Sequence, residues 1–167
     1  MPPAAARRLP LLAVLAIAGC ATRGASGTVP GPPTAASREA GTVAFAPALE
    51  VDVAAMTRRS SGLLVRDLAA GEGALATRGS RVTVRYTGWL ADGTTFDSSE
   101  GGGGPVTFRL GAGTAIRGWE DGLVGLREGG RRQLVVPPRL AYGARGLPGK
   151  VPPNATLVFV VELVAVR

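Results

Sequence analysis

The chain has 167 residues, room for one domain of ordinary size plus attachments. It holds no histidine and one cysteine, which excludes Ser-His-Asp and Cys-His nucleophilic sites, histidine-ligated metals and any internal disulfide. Its 19 basic residues outnumber 12 acidic ones, but beyond the N-terminus they are scattered singly apart from Arg58-Arg59 and Arg131-Arg132, which argues against a nucleic-acid partner.

In chain order, Arg7 and Arg8 come first, ahead of an apolar run over residues 9–18 that ends at Gly19 and Cys20. A positive start, about ten apolar residues and small residues at the exit describe a secretory signal, too short to span a bilayer. Without Arg7 and Arg8 the chain keeps 17 basic against 12 acidic residues, a charge of +5. The sole cysteine follows Ile17-Ala18-Gly19, which resembles the bacterial lipobox, where the thiol is acylated and the chain is cut before it. Residues 1–19 are therefore expected to be a lipoprotein signal peptide and Cys20 the lipidation site that anchors the protein to a membrane. The expected location is the cell envelope. The domain would face the periplasm at the outer membrane or sit on the outer face of the cytoplasmic membrane. Residues 20–41 are rich in Ala, Gly, Ser, Thr and Pro and cannot build a core, so a flexible linker is expected. Across residues 42–60 large side chains return (Val43, Phe45, Leu49, Val51, Val53, Met56), and the segment reads as a short docking element.

Residues 61–167 read as the folded domain. Strands are predicted at 62–68, 81–87, 106–110, 131–136 and 157–166. The second alternates strictly and turns Val82, Val84 and Tyr86 to the core. Ala91-Asp92-Gly93-Thr94 is a hairpin turn signal. The last strand is apolar on both faces except at Glu162, so it belongs at the centre of the sheet or under a helix. One segment has helical spacing, with Thr114 as the expected cap and Ile116, Trp119, Leu123 and Leu126 on one face. Gly118, Gly122 and Gly125 lie inside it, each costing roughly 1 kcal/mol relative to alanine, so only tertiary packing would hold that helix. The expected fold class is α+β, an antiparallel sheet of about five strands wrapped around one short α-helix.

Seven motifs then occur in one order: Val84-Arg85-Tyr86-Thr87-Gly88, Asp92-Gly93, Phe96-Asp97-Ser98-Ser99, Phe108-Arg109-Leu110-Gly111, Ile116-Arg117-Gly118-Trp119-Glu120, Ala141-Tyr142-Gly143 and Pro152-Pro153-Asn154-Ala155-Thr156-Leu157-Val158-Phe159. Together they resemble the FKBP-type peptidyl-prolyl cis-trans isomerases, immunophilins that also bind macrolide immunosuppressants. The resemblance runs from about Ser61 to Arg167. It implies an antiparallel half-barrel around the helix, with the site between helix and sheet. Residue by residue, it implies Trp119 as the pocket floor, Tyr86, Phe96 and Phe159 as aromatic walls, and Ile116 and Val151 as aliphatic walls. It further implies that the Ile116 N–H, Asp97 and the Tyr142 hydroxyl bond the ligand. These imply a catalytic set of Tyr86, Phe96, Asp97, Ile116, Trp119, Tyr142 and Phe159, bordered by substrate-binding Val106, Ala115, Leu147 and Val151.

The inventory suits that chemistry. Amide rotation faces a barrier of about 18–20 kcal/mol, and X-Pro alone has nearly balanced isomers in slow exchange. Lowering the barrier requires no nucleophile, metal or cofactor, only a pocket that holds the twisted amide better than the planar one. A dry aromatic pocket weakens the charge separation that favours planarity, and directed hydrogen bonds fix the peptide. The partners implied are proline-containing peptides, unfolded envelope proteins and macrolide ligands, with the protein acting as a monomer. A non-catalytic proline-peptide-binding or chaperone module on the same anchor is the alternative, and a spacer lipoprotein a third.

Against the best-known eukaryotic members, several rim positions differ. Residues 101–104 are all glycine where those members carry charged side chains, including an arginine that pairs with the site aspartate. Val106 stands for a frequent aromatic, Ala115 for a larger aliphatic residue, Leu147 for a frequent histidine and Lys150 for a frequent isoleucine. Substrate preference and macrolide affinity should therefore depart from theirs more than the floor does.

Overall fold

The computed structural model describes residues 43–167; the segments expected to be a signal peptide and a linker, with Cys20, lie outside them. Seven strands form one antiparallel sheet: β1 (Thr57–Arg58), β2 (Leu64–Ala69), β3 (Arg81–Leu90), β4 (Thr95–Ser98), β5 (Val106–Arg109), β6 (Arg131–Val136) and β7 (Leu157–Val166). Their spatial order is β1-β2-β6-β7-β3-β4, and β5 also pairs with β3. Two strands exceed the sequence expectation. β1 has only two residues, too few for a periodic signal, and β4 follows its hairpin turn with three polar residues in four.

β3 organises the sheet. Its first half pairs with β5, its second half with β4, and its other edge with β7 along the whole strand. The turn predicted at 91–94 closes the β3–β4 hairpin. Gly93 adopts φ +92°, and the Asp92 carboxylate accepts the Thr94 N–H at 2.9 Å. That bond, with a second contribution from the Thr94 side chain, holds the Asp92 carboxyl below its usual range. β7 lies between β6 and β3, the central position its apolar sequence called for. Phe159, Val161 and Leu163 face the main core and Val158 the opposite side.

The main core sits between the inner face of the sheet and α1 (Arg117–Gly122), the one α-helix among the described residues. This helix is shorter than predicted, and Thr114 does not cap it. Ile116 occupies the N-cap position in extended backbone, with no side-chain capping bond. Gly125, at φ +85°, lies beyond the helix. Gly118 and Gly122 are one turn apart and face the sheet. A Cβ at Gly118 would collide with Val136, and one at Gly122 would lie 2.8 Å from Leu134. The low helix propensity of these glycines thus permits a close approach that alanine would block.

Two arginines secure the far end of α1. Buried Arg132 donates to the Asp67 carboxylate and to the Gly122 and Val124 carbonyls, and Arg59 donates to the Asp121 and Val124 carbonyls. These carbonyls include acceptors left over at a helix C-terminus. Burial, and then the charge of Arg132, lower the pKa of Arg59 from its ordinary value.

On the outer face, residues 43–56 cover part of the sheet. Leu49 and Met56 are buried against Leu64, Val135 and Val158, with Phe45, Val51, Val53 and Trp89 around them. Gln133 donates to the Leu49 carbonyl at 2.8 Å, which ties the segment to β6.

Candidate functional site

A cleft of about 400 Å³ opens between α1 and the inner face of the sheet. Trp119 leads into it from the first turn of α1, held where the glycines bring the helix onto β6. Its indole ring is a hub. It meets Tyr86 edge-on at 4.7 Å between centroids, Phe159 edge-on at 5.4 Å, and Phe108 tilted at 5.8 Å. Phe96 meets Phe159 edge-on at 5.6 Å. Edge-to-face pairs of this kind set the positive rim of one ring against the negative face of the next. The indole N–H is buried without an acceptor among the described residues.

Strand periodicity builds the walls. Tyr86 on β3 and Phe159 on β7 both point inward, while Gly88 lies opposite Phe159 in register. A Cβ at Gly88 would lie 2.7 Å from the Phe159 ring and 2.9 Å from that of Phe96, so the two rings use the space a side chain would fill. Ser99 fixes the wall from behind, accepting the Tyr86 N–H at 2.9 Å and donating to its carbonyl at 3.2 Å.

At the mouth, the Tyr86 hydroxyl donates to Asp97 at 2.7 Å. Burial first, and then this bond, push the Tyr86 phenol well above its ordinary value. Burial first, then the Asp97 charge, also raise Tyr142, so both phenols are protonated donors at neutral pH. The Tyr142 hydroxyl and the Ile116 N–H donate to no acceptor among the described residues. Both are therefore available to a ligand. The glycines at 101–104 bring no cation to Asp97. Lys150, from the other side of the mouth, places its Nζ 3.7 Å from the carboxylate.

Tyr86, Phe96, Asp97, Val106, Ala115, Ile116, Trp119, Tyr142 and Phe159 line one cleft. Leu147 and Val151 do not. They bond each other's backbone across a tight turn and line a neighbouring recess, and Val151 also belongs to the main core. The turn carries them beside the cleft rather than into its wall. Two further lining residues, Phe108 and Thr114, are not among the pocket residues expected from the sequence. The inward alternation of Val106-Thr107-Phe108 was the available signal for Phe108; Thr114 had been assigned to capping. Gly88 acts through the side chain it lacks and Ser99 through its hydroxyl bonds to the Tyr86 backbone, roles that depend on register and carry no signal of their own in the sequence. Glu120, one of two acids that suit the helix dipole, accepts the Gly113 N–H at 2.7 Å and so pins the loop leading to Ile116.

Comparison with known proteins agrees with this geometry. The model of the FKBP-type peptidyl-prolyl cis-trans isomerase family matches residues 73–164. An FK506-binding protein of Neisseria meningitidis serogroup B is 50% identical over 105 residues, 63% of this chain and 96% of that protein. Among solved structures, FkpA from Escherichia coli superposes with a TM-score of 0.63 at 43% identity, over 68% of this chain. The match spans 52% of FkpA, about half its length. A peptidyl-prolyl cis-trans isomerase from Pseudomonas syringae gives a TM-score of 0.61 at 38% identity, over 67% of this chain and 80% of that one. The aromatic cleft, the half-wrapped sheet and these matches agree: the chain belongs to the FKBP-type peptidyl-prolyl cis-trans isomerase family.

Proposed function

We propose that this protein rotates X-Pro peptide bonds of envelope proteins by non-covalent stabilisation of a twisted amide, working from a lipid anchor at Cys20. The observation that carries the reading is the pairing of a four-ring apolar surface around Trp119 with two unengaged donors at its edge, Ile116 N–H and Tyr142 O–H. The rings take the proline and the imide into a dry environment, where the charge-separated planar amide loses the advantage that water gives it. The donors hold the peptide on either side, so rotation occurs about a bond with fixed ends. Asp97, bonded to Tyr86 and close to Lys150, sets the field at the mouth. Macrolide ligands would compete for the same cleft, with an affinity altered by the glycine loop and Lys150.

The test is exchange NMR on an Ala-Leu-Pro peptide with catalytic amounts of the protein lacking its first 20 residues. Accelerated cis–trans exchange is expected, and Phe159→Ala and Asp97→Ala should slow it while the domain stays folded. Peptide binding without acceleration would instead identify a proline-binding module. Cys20→Ser should release the protein from membranes; retention would remove the anchor from the proposal.

A further inference from the structure

The outer face of the sheet has two unlike halves. Segment 43–56 covers one of them. The other is exposed, and strand register collects on it arginines that are far apart in sequence. Arg81 exchanges backbone hydrogen bonds with Arg167 on one side and is the register partner of Arg109 on the other. Three arginines thus stand in a row, Arg109 on β5, Arg81 on β3 and Arg167 directly after β7. One row on, Thr83 faces Thr107 and Ala165. In the row beyond, Arg131 and Arg85 flank Glu162. All five arginines are exposed, and among the described residues none of them forms an ion pair. Five cations thus share a surface roughly 14 Å by 13 Å, from strand spacing and rise, with the Glu162 carboxylate among them and that of Glu128, held by the Val166 N–H at 2.9 Å, at its margin.

Like charges directly opposite one another destabilise a sheet, so the row Arg167–Arg81–Arg109 is a cost to folding, offset in part by the Arg109 bond to the Gly79 carbonyl at 2.9 Å. It generates a positive field, which an anionic partner would relieve. The occupant is further defined by what the surface lacks. Trp89, the aromatic residue on the outer face of β3, lies in the covered half. A flat, aromatic-free arginine surface suits phosphate headgroups rather than unstacked bases. The cleft opens on the inner face, since Tyr86 points opposite to Arg85.

We propose that this half of the outer face docks on anionic phospholipid headgroups and holds the domain with its cleft turned away from the bilayer. The inference rests on the membrane-anchored reading of the chain, but its test does not require the anchor. Residues 43–167 contain both cores, and a relative consisting almost wholly of the matching stretch exists, so this part folds on its own.

Sedimentation of residues 43–167 with vesicles of phosphatidylcholine containing about one third phosphatidylglycerol, against pure phosphatidylcholine, reads the surface directly. Binding to the anionic vesicles alone is expected, weakening as salt rises. The variant R81Q/R85Q/R109Q/R131Q should lose about a hundredfold in partition, at roughly one kcal/mol per arginine with allowance for incomplete contact. The variant R78Q/R117Q/R127Q/R145Q, which removes equal charge elsewhere, should lose less than about threefold. Equal losses in the two variants, no binding to anionic vesicles, or tighter binding to a single-stranded oligonucleotide in the same salt would each overturn the proposal. Isomerisation of a soluble peptide by the first variant should match the unaltered fragment. A failure of catalysis is thereby separated from a failure of docking.

Discussion

The inner and outer faces of the sheet are written into the same strands, residue by alternate residue, yet they are held to different standards. On the inner face of β3, Val82, Val84, Tyr86 and Gly88 are each fixed by a neighbour: a core side chain, an indole or a phenyl ring. On the outer face of the same strand, Arg81, Thr83 and Arg85 meet mainly solvent, and only Trp89 packs under the N-terminal segment. Steric complementarity decides the inner face, and charge and partial cover decide the outer one. A strand of ten residues therefore carries catalytic architecture and surface character independently.

Mutations on matched positions can break or sharpen this contrast. The largest effect should come from Leu134→Ala on the inner face of β6, fully buried against Gly122 of the helix. It should cost about 3–4 kcal/mol in urea unfolding. Leu64→Ala, buried under segment 43–56, should cost about 2–3 kcal/mol. A loss below about 1 kcal/mol would mean that the covered half is surface rather than a second core.

Arg131 and Arg132 provide a neighbouring pair. Arg132→Ala strips bonds from Gly122, Val124 and Asp67 and should lower stability by about 2–3 kcal/mol, whereas Arg131→Ala should stay within about 0.5 kcal/mol. Equal losses would erase the distinction between the faces. Gly88→Ala should cost about 1–3 kcal/mol through overpacking and should also depress isomerisation, because Phe96 and Phe159 must move apart. An alanine variant with unchanged turnover would show that the wall tolerates displacement.

At the mouth the effects are smaller. The Lys150–Asp97 contact is largely exposed, so Lys150→Met should change stability by less than about 0.5 kcal/mol. Alkaline titration gives the last test. The folded Tyr86 pKa is raised above the unfolded value of 10.0, so its stabilisation is complete below that pH and is lost as pH climbs through the folded value. Tyr86→Phe should remove its share of the alkaline loss of stability, measured by urea unfolding across that range.

Legibility in the sequence followed the same division. Strict alternation revealed β3, and the two-sided apolar character of β7 revealed its central place. The order of seven motifs revealed the aromatic residues of the cleft. What escaped depended on three-dimensional proximity. Gly118 and Gly122 read as costs to a helix until the sheet lay against them, and Thr114 read as a cap because capping is a local rule that the extended Ile116 overrides. Leu147 and Val151 were displaced by a turn that closes on itself. The arginines looked scattered because register, which brings Arg81, Arg109 and Arg167 side by side, is not a property of any single strand.

The sharing of the β3 edge by two short strands also matters to the protein in a crowd. An open sheet leaves unpaired backbone groups along its borders, where another chain can add a strand. Here one border is the two-residue β1. The other is divided between β4 and β5, four residues each, separated by the turn with glycines at 101–104. Neither border offers an uninterrupted template longer than four residues, and Arg58 and Arg109 place charge on each. The glycine-rich interruption between β4 and β5 thus also guards the domain against edge-to-edge aggregation.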